Sequence, residues 1–268
     1  MSVSIKLDHQ VHTMEPLPSS GLHNFPSAPH CQACQLQSRC APSSMNPTDL
    51  QQFDRIVHRG RPLRRGEHLY MAADPFRSIY MILQGTIKTY CLTEDGDEQV
   101  TGFLTTGDCF GFDGLNIMKH TNSAKALERA QVCEIPFERL EQLCRRIPSL
   151  QHYAYQLASR QILQEQKLLQ FLGKRSAEAR VAYLLLNFIG RANHDHPLTR
   201  PVRLPMTRYD TASYLGLSVE TVSRVLSRMQ QLGIIRLRGP LVAIQSPAAL
   251  TECAQVETTV KPLRVMNL

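Results

Sequence analysis

Tryptophan is absent from this 268-residue chain, aromatic side chains make up only 6% of it, and no apolar run approaches the roughly 18 residues that a membrane span requires. The last absence points to a protein that does not cross a membrane. The N-terminal Lys6, Asp8 and His9 lack the apolar stretch of a secretory signal, so a cytoplasmic location is expected. Also missing are a phosphate-cradling glycine loop, a Ser/His/Asp arrangement and a Cys/His grouping of catalytic type, which argues against an enzyme. With 43% hydrophobic residues the chain still has ample aliphatic material for a core, and its length suits two domains.

The net charge of +7 is unevenly spread. Residues 171–240 hold 11 Lys and Arg against 4 Asp and Glu, so that segment carries the whole excess. A local cationic surface either faces solvent alone or meets a polyanion, and in the cytoplasm the commonest polyanion is nucleic acid.

Residues 1–45 read as a flexible arm, with Pro16, Pro18, Pro26 and Pro29 among Ser, Gly and His, ending in a cysteine cluster. A short helical pattern follows through Leu50, Phe53, Ile56 and Val57. From about 61 to 135, turn signals such as Gln84-Gly85, Asp95-Gly96-Asp97 and Thr106-Gly107-Asp108 separate short runs, including Ser78–Leu83 and Thr86–Leu92. That pattern predicts β-hairpins in a small roll spanning 46–145. Pro148 can open a helix that meets no Gly or Pro before Gly173, which predicts a long helix over 146–174. Along it Ala158, Ile162, Glu165, Leu169 and Leu172 recur at steps of four and three, the seam of a helix pair, so a homodimer is expected. Glu165 on that seam is either out of register or a charge that makes pairing conditional.

The segment 175–247 reads as a winged helix-turn-helix. Thr207–Leu215 is helix-like, Gly216 marks a turn, Ser218 suits an N-cap, and Val219–Leu232 is amphipathic with Val222, Val225, Leu226 and Met229 inward. Ile234–Leu237 and Leu241–Ile244 flank Arg238-Gly239-Pro240 as a hairpin wing. The outer face of the second helix opens with Glu220, Ser223 and Arg224, the part that a recognition helix sets against base edges. Arg224 can donate twice to guanine, Glu220 can accept from cytosine, and Ser223 can pair with several bases, while Arg228 suits a phosphate. The plainer alternative is a helix-dipole role for Glu220 and an ion pair with Arg224. Residues 248–268 are read as a tail.

Three of the eight cysteines, Cys31, Cys34 and Cys40, fall within ten residues, and in a reducing compartment such a group signals metal or redox chemistry. Thiolates suit zinc and iron-sulfur clusters alike. A fourth ligand is lacking locally; Cys133, Cys91, Cys109, Cys144, Cys253 and His30 all remain open. A redox or zinc-binding enzyme, and a DNA-binding regulator that responds through zinc or thiol oxidation, are the rivals to a cluster-bearing regulator.

Together, the C-x2-C-x5-C spacing at 31–40, Gly85-Thr-Ile-Lys88, Gly96-Asp-Glu-Gln99, Cys133-Glu-Ile-Pro-Phe-Glu138 and Leu215-Gly-Leu-Ser-Val-Glu-Thr-Val-Ser-Arg224 resemble the fumarate and nitrate reduction regulators of the cyclic-AMP receptor protein superfamily. The resemblance spans roughly 28–245. It implies an α+β fold: an N-terminal jelly-roll β-roll, a long dimerisation helix and a C-terminal winged helix-turn-helix. It also implies a four-iron four-sulfur cluster on Cys31, Cys34, Cys40 and Cys133, and a dimer that oxygen dissolves, with Glu165 opposing association. Glu220, Ser223 and Arg224 would read a palindromic operator, TTGAT with its inverted repeat, and Gly96 and Asp97 would touch RNA polymerase. Where cyclic-nucleotide binders of the superfamily carry a Gly-Glu-Leu turn and an Arg-Ser pair, this chain has Gly111-Phe-Asp-Gly-Leu115 and Asn122-Ser123, so no cyclic nucleotide is expected. Arg39, before the third arm cysteine, stands where an apolar residue is common.

Overall fold

The computed structural model describes residues 30–41, 45–192 and 200–255. The flexibility expected for residues 1–29 and the tail beyond Gln255 lie outside them. At the arm, a 3-10 turn at Cys31–Ala33 and a single helical turn α1 (Gln37–Cys40) precede α2 (Pro47–Ile56). Helix α2 starts where it does because the Asn46 side chain accepts from Asp49 N–H and Pro47 needs no partner at the first helical position. It buries Leu50 and Phe53.

The roll consists of β1 (His58–Arg59), β2 (His68–Tyr70), β3 (Ser78–Gln84), β4 (Ile87–Leu92), β5 (Glu98–Leu104), β6 (Cys109–Phe110), β7 (Ser123–Ala126) and β8 (Gln131–Pro136). They form two antiparallel four-stranded sheets, ordered β1-β8-β3-β6 and β2-β7-β4-β5. The β3–β4 reversal needs Gly85: its φ is 91°, and a Cβ there would lie 2.5 Å from the Arg129 carbonyl oxygen. The roll's interior is filled by Tyr70, Tyr80, Ile82, Ile87 and Phe110, with His120 stacked 3.6 Å over Tyr70.

Helix α3 (Phe137–Cys144), which the sequence pattern did not announce, leads into the 27-residue α4 (Pro148–Lys174), opened by Pro148 as expected and continuing through Gly173. Helix α5 (Ala177–Ala192), strand β9 (Val202–Arg203), helices α6 (Arg208–Leu215) and α7 (Val219–Gln231) and the hairpin β10 (Ile235–Arg238) and β11 (Leu241–Ile244) complete a winged helix-turn-helix. One expectation is corrected here. The stretch from 248, read as a tail, begins inside α8 (Pro247–Ala254), capped by Ser246, whose Leu250 and Ala254 are fully buried against the rest of this domain. Two apolar residues four apart suffice to dock a short helix, and that signal is too brief to register as periodicity.

Candidate metal centre and nucleic-acid interface

Strand pairing fixes the floor of the thiol site. Cys133 on β8 lies opposite Arg59 on β1 and Met81 on β3, and Met81 lies opposite Cys109 on β6, so the four form one row on one face of the sheet. The arm and α2 pack on that face. Cys31, Ala41, Leu50, Phe53, Val57, Met81, Cys133 and Leu150 share a single core, which packs Cys31 and Ala41 of a hydrophilic arm against the sheet. The consequence is that Cys31, Cys34, Cys40 and Cys133 line one small cavity, closed by Phe53, Val57, Met81, Leu83 and Ile135, with Arg59 as its cationic wall. Among the described residues no carboxylate lines it.

Two residues that sequence reading missed hold the arm in place. Asp54 accepts from Cys31 N–H at 2.8 Å, meets His30 Nδ1 at 2.7 Å and pairs with Arg59. Burial pushes its carboxyl up, but these hydrogen bonds outweigh that and hold it well below the usual range. Arg59 also donates to the Cys31 sulfur at 3.2 Å, and its Nε is buried with no hydrogen-bond partner among the described residues. Cys31, Cys40 and Cys133 are pushed the other way. Burial raises Cys31 to about 12, helped by its hydrogen bond to Asp54, and raises Cys133 to about 11; Cys40 is displaced upward by burial and by neighbouring sulfurs. Without a metal they are neutral thiols, poor nucleophiles that a metal must deprotonate.

The donor set fits the cluster that the resemblance implies: four sulfurs, apolar walls, and a guanidinium with a spare donor to offset negative charge. Among the described residues no three His, Cys, Asp or Glu side chains gather closely enough to hold a single metal ion. Arg39 lies beside this site. Its guanidinium donates to the Thr106 carbonyl at 3.3 Å across Gly107, and its own carbonyl accepts from the Tyr153 hydroxyl of α4 at 2.6 Å. The arm is thereby tied to the long helix.

On α4, Ile162 and Leu169 are exposed, Glu165 is exposed and accepts from Gln161 at 3.1 Å, and Ala158 is half-buried. Leu172 is placed differently, half-buried against the core of the C-terminal domain, next to Phe171, which stacks on Tyr183.

The recognition helix follows from its caps. Thr207 and Asp210 form a capping box on α6, Gly216 takes the left-handed conformation at φ 61° that ends it, and the Ser218 hydroxyl accepts from Thr221 N–H to start α7. Val222, Val225, Leu226 and Met229 face inward, leaving Glu220, Ser223 and Arg224 exposed together. Arg224 reaches Thr221 Oγ1 at 3.2 Å, and the carboxyl of Glu220 is held below its ordinary value chiefly by its own backbone N–H, with the Arg224 charge as a lesser contribution. Arg228 sits farther along, 3.4 Å from Glu178 of α5. Gly96 and Asp97 occupy the exposed β4–β5 turn, where Asp97 Oδ1 lies 3.5 Å from the Tyr209 hydroxyl. In the turn at 111–115, Asp113 accepts from Thr121 N–H at 2.9 Å and Asn122 N–H at 3.0 Å.

Comparison with known proteins accounts for both halves. The model of the cyclic nucleotide-binding domain matches residues 60–147 and that of the Crp-like helix-turn-helix domain residues 179–253. Electron transport regulator A of Shewanella oneidensis is 41% identical over 215 residues, covering 80% of this chain and 86% of that protein. The fumarate and nitrate reduction regulatory protein of Yersinia pestis is 40% identical over 225 residues, 84% of this chain and 90% of its own. The anaerobic regulatory protein of Pasteurella multocida is 40% identical over 230 residues, 86% of this chain and 84% of its own. Among solved structures, FixK2 from Bradyrhizobium japonicum superimposes with a TM-score of 0.66 at 26% identity, covering 73% of this chain and 96% of that one. The chain belongs to the fumarate and nitrate reduction family of transcription regulators and is not an enzyme.

Proposed function

We propose that this regulator senses oxygen through a four-iron four-sulfur cluster and, when loaded, binds palindromic promoter sites as a homodimer. One observation carries the reading: cysteines from the arm and from β8, remote in sequence, line a single cavity. Cys31, Cys34, Cys40 and Cys133 would hold the cluster, which supplies an oxygen-reactive inorganic centre when bound.

The chain's own residues supply the rest. Asp54 and Arg59 orient the arm against the sheet, and the Tyr153 hydroxyl connects the backbone beside Cys40 to α4. Arm order is in this way communicated to the helix that carries Ala158, Ile162, Glu165, Leu169 and Leu172, the surface on which a second copy would pair. Glu165 across a two-fold axis opposes that pairing, so association depends on the arm being held. Glu220, Ser223 and Arg224 read base edges, Arg228 approaches the backbone, and the Gly96-Asp97 turn meets RNA polymerase. Asp113 stands in the turn where cyclic-nucleotide binders carry Gly-Glu-Leu and is already bonded to the roll's own Thr121 and Asn122 amides, which speaks against a nucleotide effector.

The test is anaerobic loading with iron and sulfide, followed by admission of air. A visible chromophore with a dimer mass and operator binding, all three lost together in air, is expected; a protein that takes up neither element overturns the cluster. Arg224→Ala should keep the chromophore and lose roughly 1–3 kcal/mol of base discrimination; unchanged discrimination overturns the recognition register.

A further inference from the structure

Two of the signature motifs, Gly85-Thr-Ile-Lys88 and Gly96-Asp-Glu-Gln99, contribute nothing to the thiol cavity or the reading helix. In the structure they form the joint between the two domains. Lys88 is the second residue of β4, yet its side chain is only 6% exposed. Its ammonium donates to Glu98 of the neighbouring β5 and, at 2.6 Å, to Asp210 Oδ1 on α6, the first helix of the helix-turn-helix. Burial alone would favour the neutral amine, but the two carboxylates outweigh it and keep the group charged. A lysine buried on an interior strand is costly unless paired, and here its second partner belongs to the other domain.

The same contact completes the sheet. Strand β5 is an edge strand whose open backbone groups would otherwise face solvent. Ser213 on α6 accepts from Val100 N–H and donates to the Glu98 carbonyl, both at 2.8 Å, while Gln99 Nε2 donates to the Ser213 carbonyl at 2.7 Å. Val100 and Phe103 of the roll join the core built from Leu215, Val222 and Leu226, with the Phe103 and Tyr214 rings 4.9 Å apart. Arg191 of α5 adds bonds to Asp108 at 2.7 Å and to the Phe103 carbonyl at 2.9 Å. An inhibitory contact would cover the reading face, but this one leaves Glu220, Ser223 and Arg224 exposed.

We infer that Lys88 is a positioning residue for DNA recognition: by pairing with Asp210 it fixes α6, and through α6 the recognition helix, at a set angle to the roll that carries the sensor. Two half-sites are engaged together only if both recognition helices hold that angle, so the joint governs specific binding more than contact with duplex in general. The inference rests on the DNA-reading assignment above.

Lys88→Met in the full-length, cluster-loaded protein removes the charge, keeps the aliphatic stem and leaves the Thr207–Asp210 capping box intact. Affinity for a TTGAT inverted-repeat duplex should fall roughly tenfold or more, affinity for a scrambled duplex should change little, and iron content and dimer mass should hold. Hydrogen exchange should rise at both 98–104 and 208–215. Ser213→Ala, which spares the ion pair, should act in the same direction with smaller amplitude and decides the matter should Lys88→Met not fold. Wild-type operator affinity with unchanged exchange overturns the inference, as does tighter binding, which would make the joint inhibitory. Should the wild type itself not distinguish the two duplexes, the DNA assignment fails, and exchange at the two segments alone decides whether the joint exists.

Discussion

Helix α7 takes what it needs from residues 218–231, with its cap, its buried stripe and its exposed reading residues all within one amphipathic stretch, whereas the thiol cavity is assembled from an arm, a helix and three strands. Asp54, Arg59, Met81 and Cys133 come from four different elements, and each must reach its place before the arm cysteines have anything to close upon. The fold of α7 is therefore robust to change elsewhere, even though its angle to the roll depends on the Lys88–Asp210 joint, and the thiol cavity is sensitive to change in any of several elements. The proposed switch would profit from that asymmetry: the part that must respond is the one whose geometry many contacts have to agree on.

The sharpest way to break the comparison is Cys133→Ser. Iron retained after anaerobic loading should drop to the level of protein lacking the arm thiols, an all-or-none loss, while the helical content of the C-terminal domain is unchanged. Leu226→Ala attacks the other side. Leu226 is 2% exposed in the C-terminal core, so truncation should destabilise that domain by about 2–5 kcal/mol in denaturant unfolding, with iron content retained. A smaller effect is expected for Asp54→Ala, which strips Cys31 N–H and Arg59 of their carboxylate. It should cost roughly 1–3 kcal/mol and speed iron loss to a chelator, with no change in operator affinity of protein that is still loaded. Least is expected of Ser218→Ala, about 1 kcal/mol of helix stability from one lost cap, read as a small drop in thermal midpoint without any change in iron release. If Asp54→Ala and Ser218→Ala instead moved iron release equally, the two regions would not be independent.

The same contrast explains what could be read in the sequence. Caps, turns and amphipathic stripes act over three or four residues, so α6, α7, the wing, the strands around Gly85 and the Pro148 start of α4 were all visible. Cys133 was one candidate among several until a family resemblance singled it out, because nothing within its own neighbourhood distinguishes it from Cys109 or Cys144. Arg59 and Asp54 carried no signal: Arg59 matters because β1 pairs with β8 and sets it opposite Cys133, and that pairing is a property of the folded roll. Lys88 was visible as a motif residue but not as a buried one, since a lysine in a strand reads as a solvent-facing position until a helix from elsewhere covers it.

That covering helix has a practical consequence for dissection of the molecule. A fragment cut after α4 would retain the arm and all four sulfurs but would lay bare the backbone of Glu98, Gln99 and Val100 together with the ring of Phe103. Such a truncated sensor would be prone to clumping through its unprotected flank, and its apparent mass would then say little about how intact subunits associate.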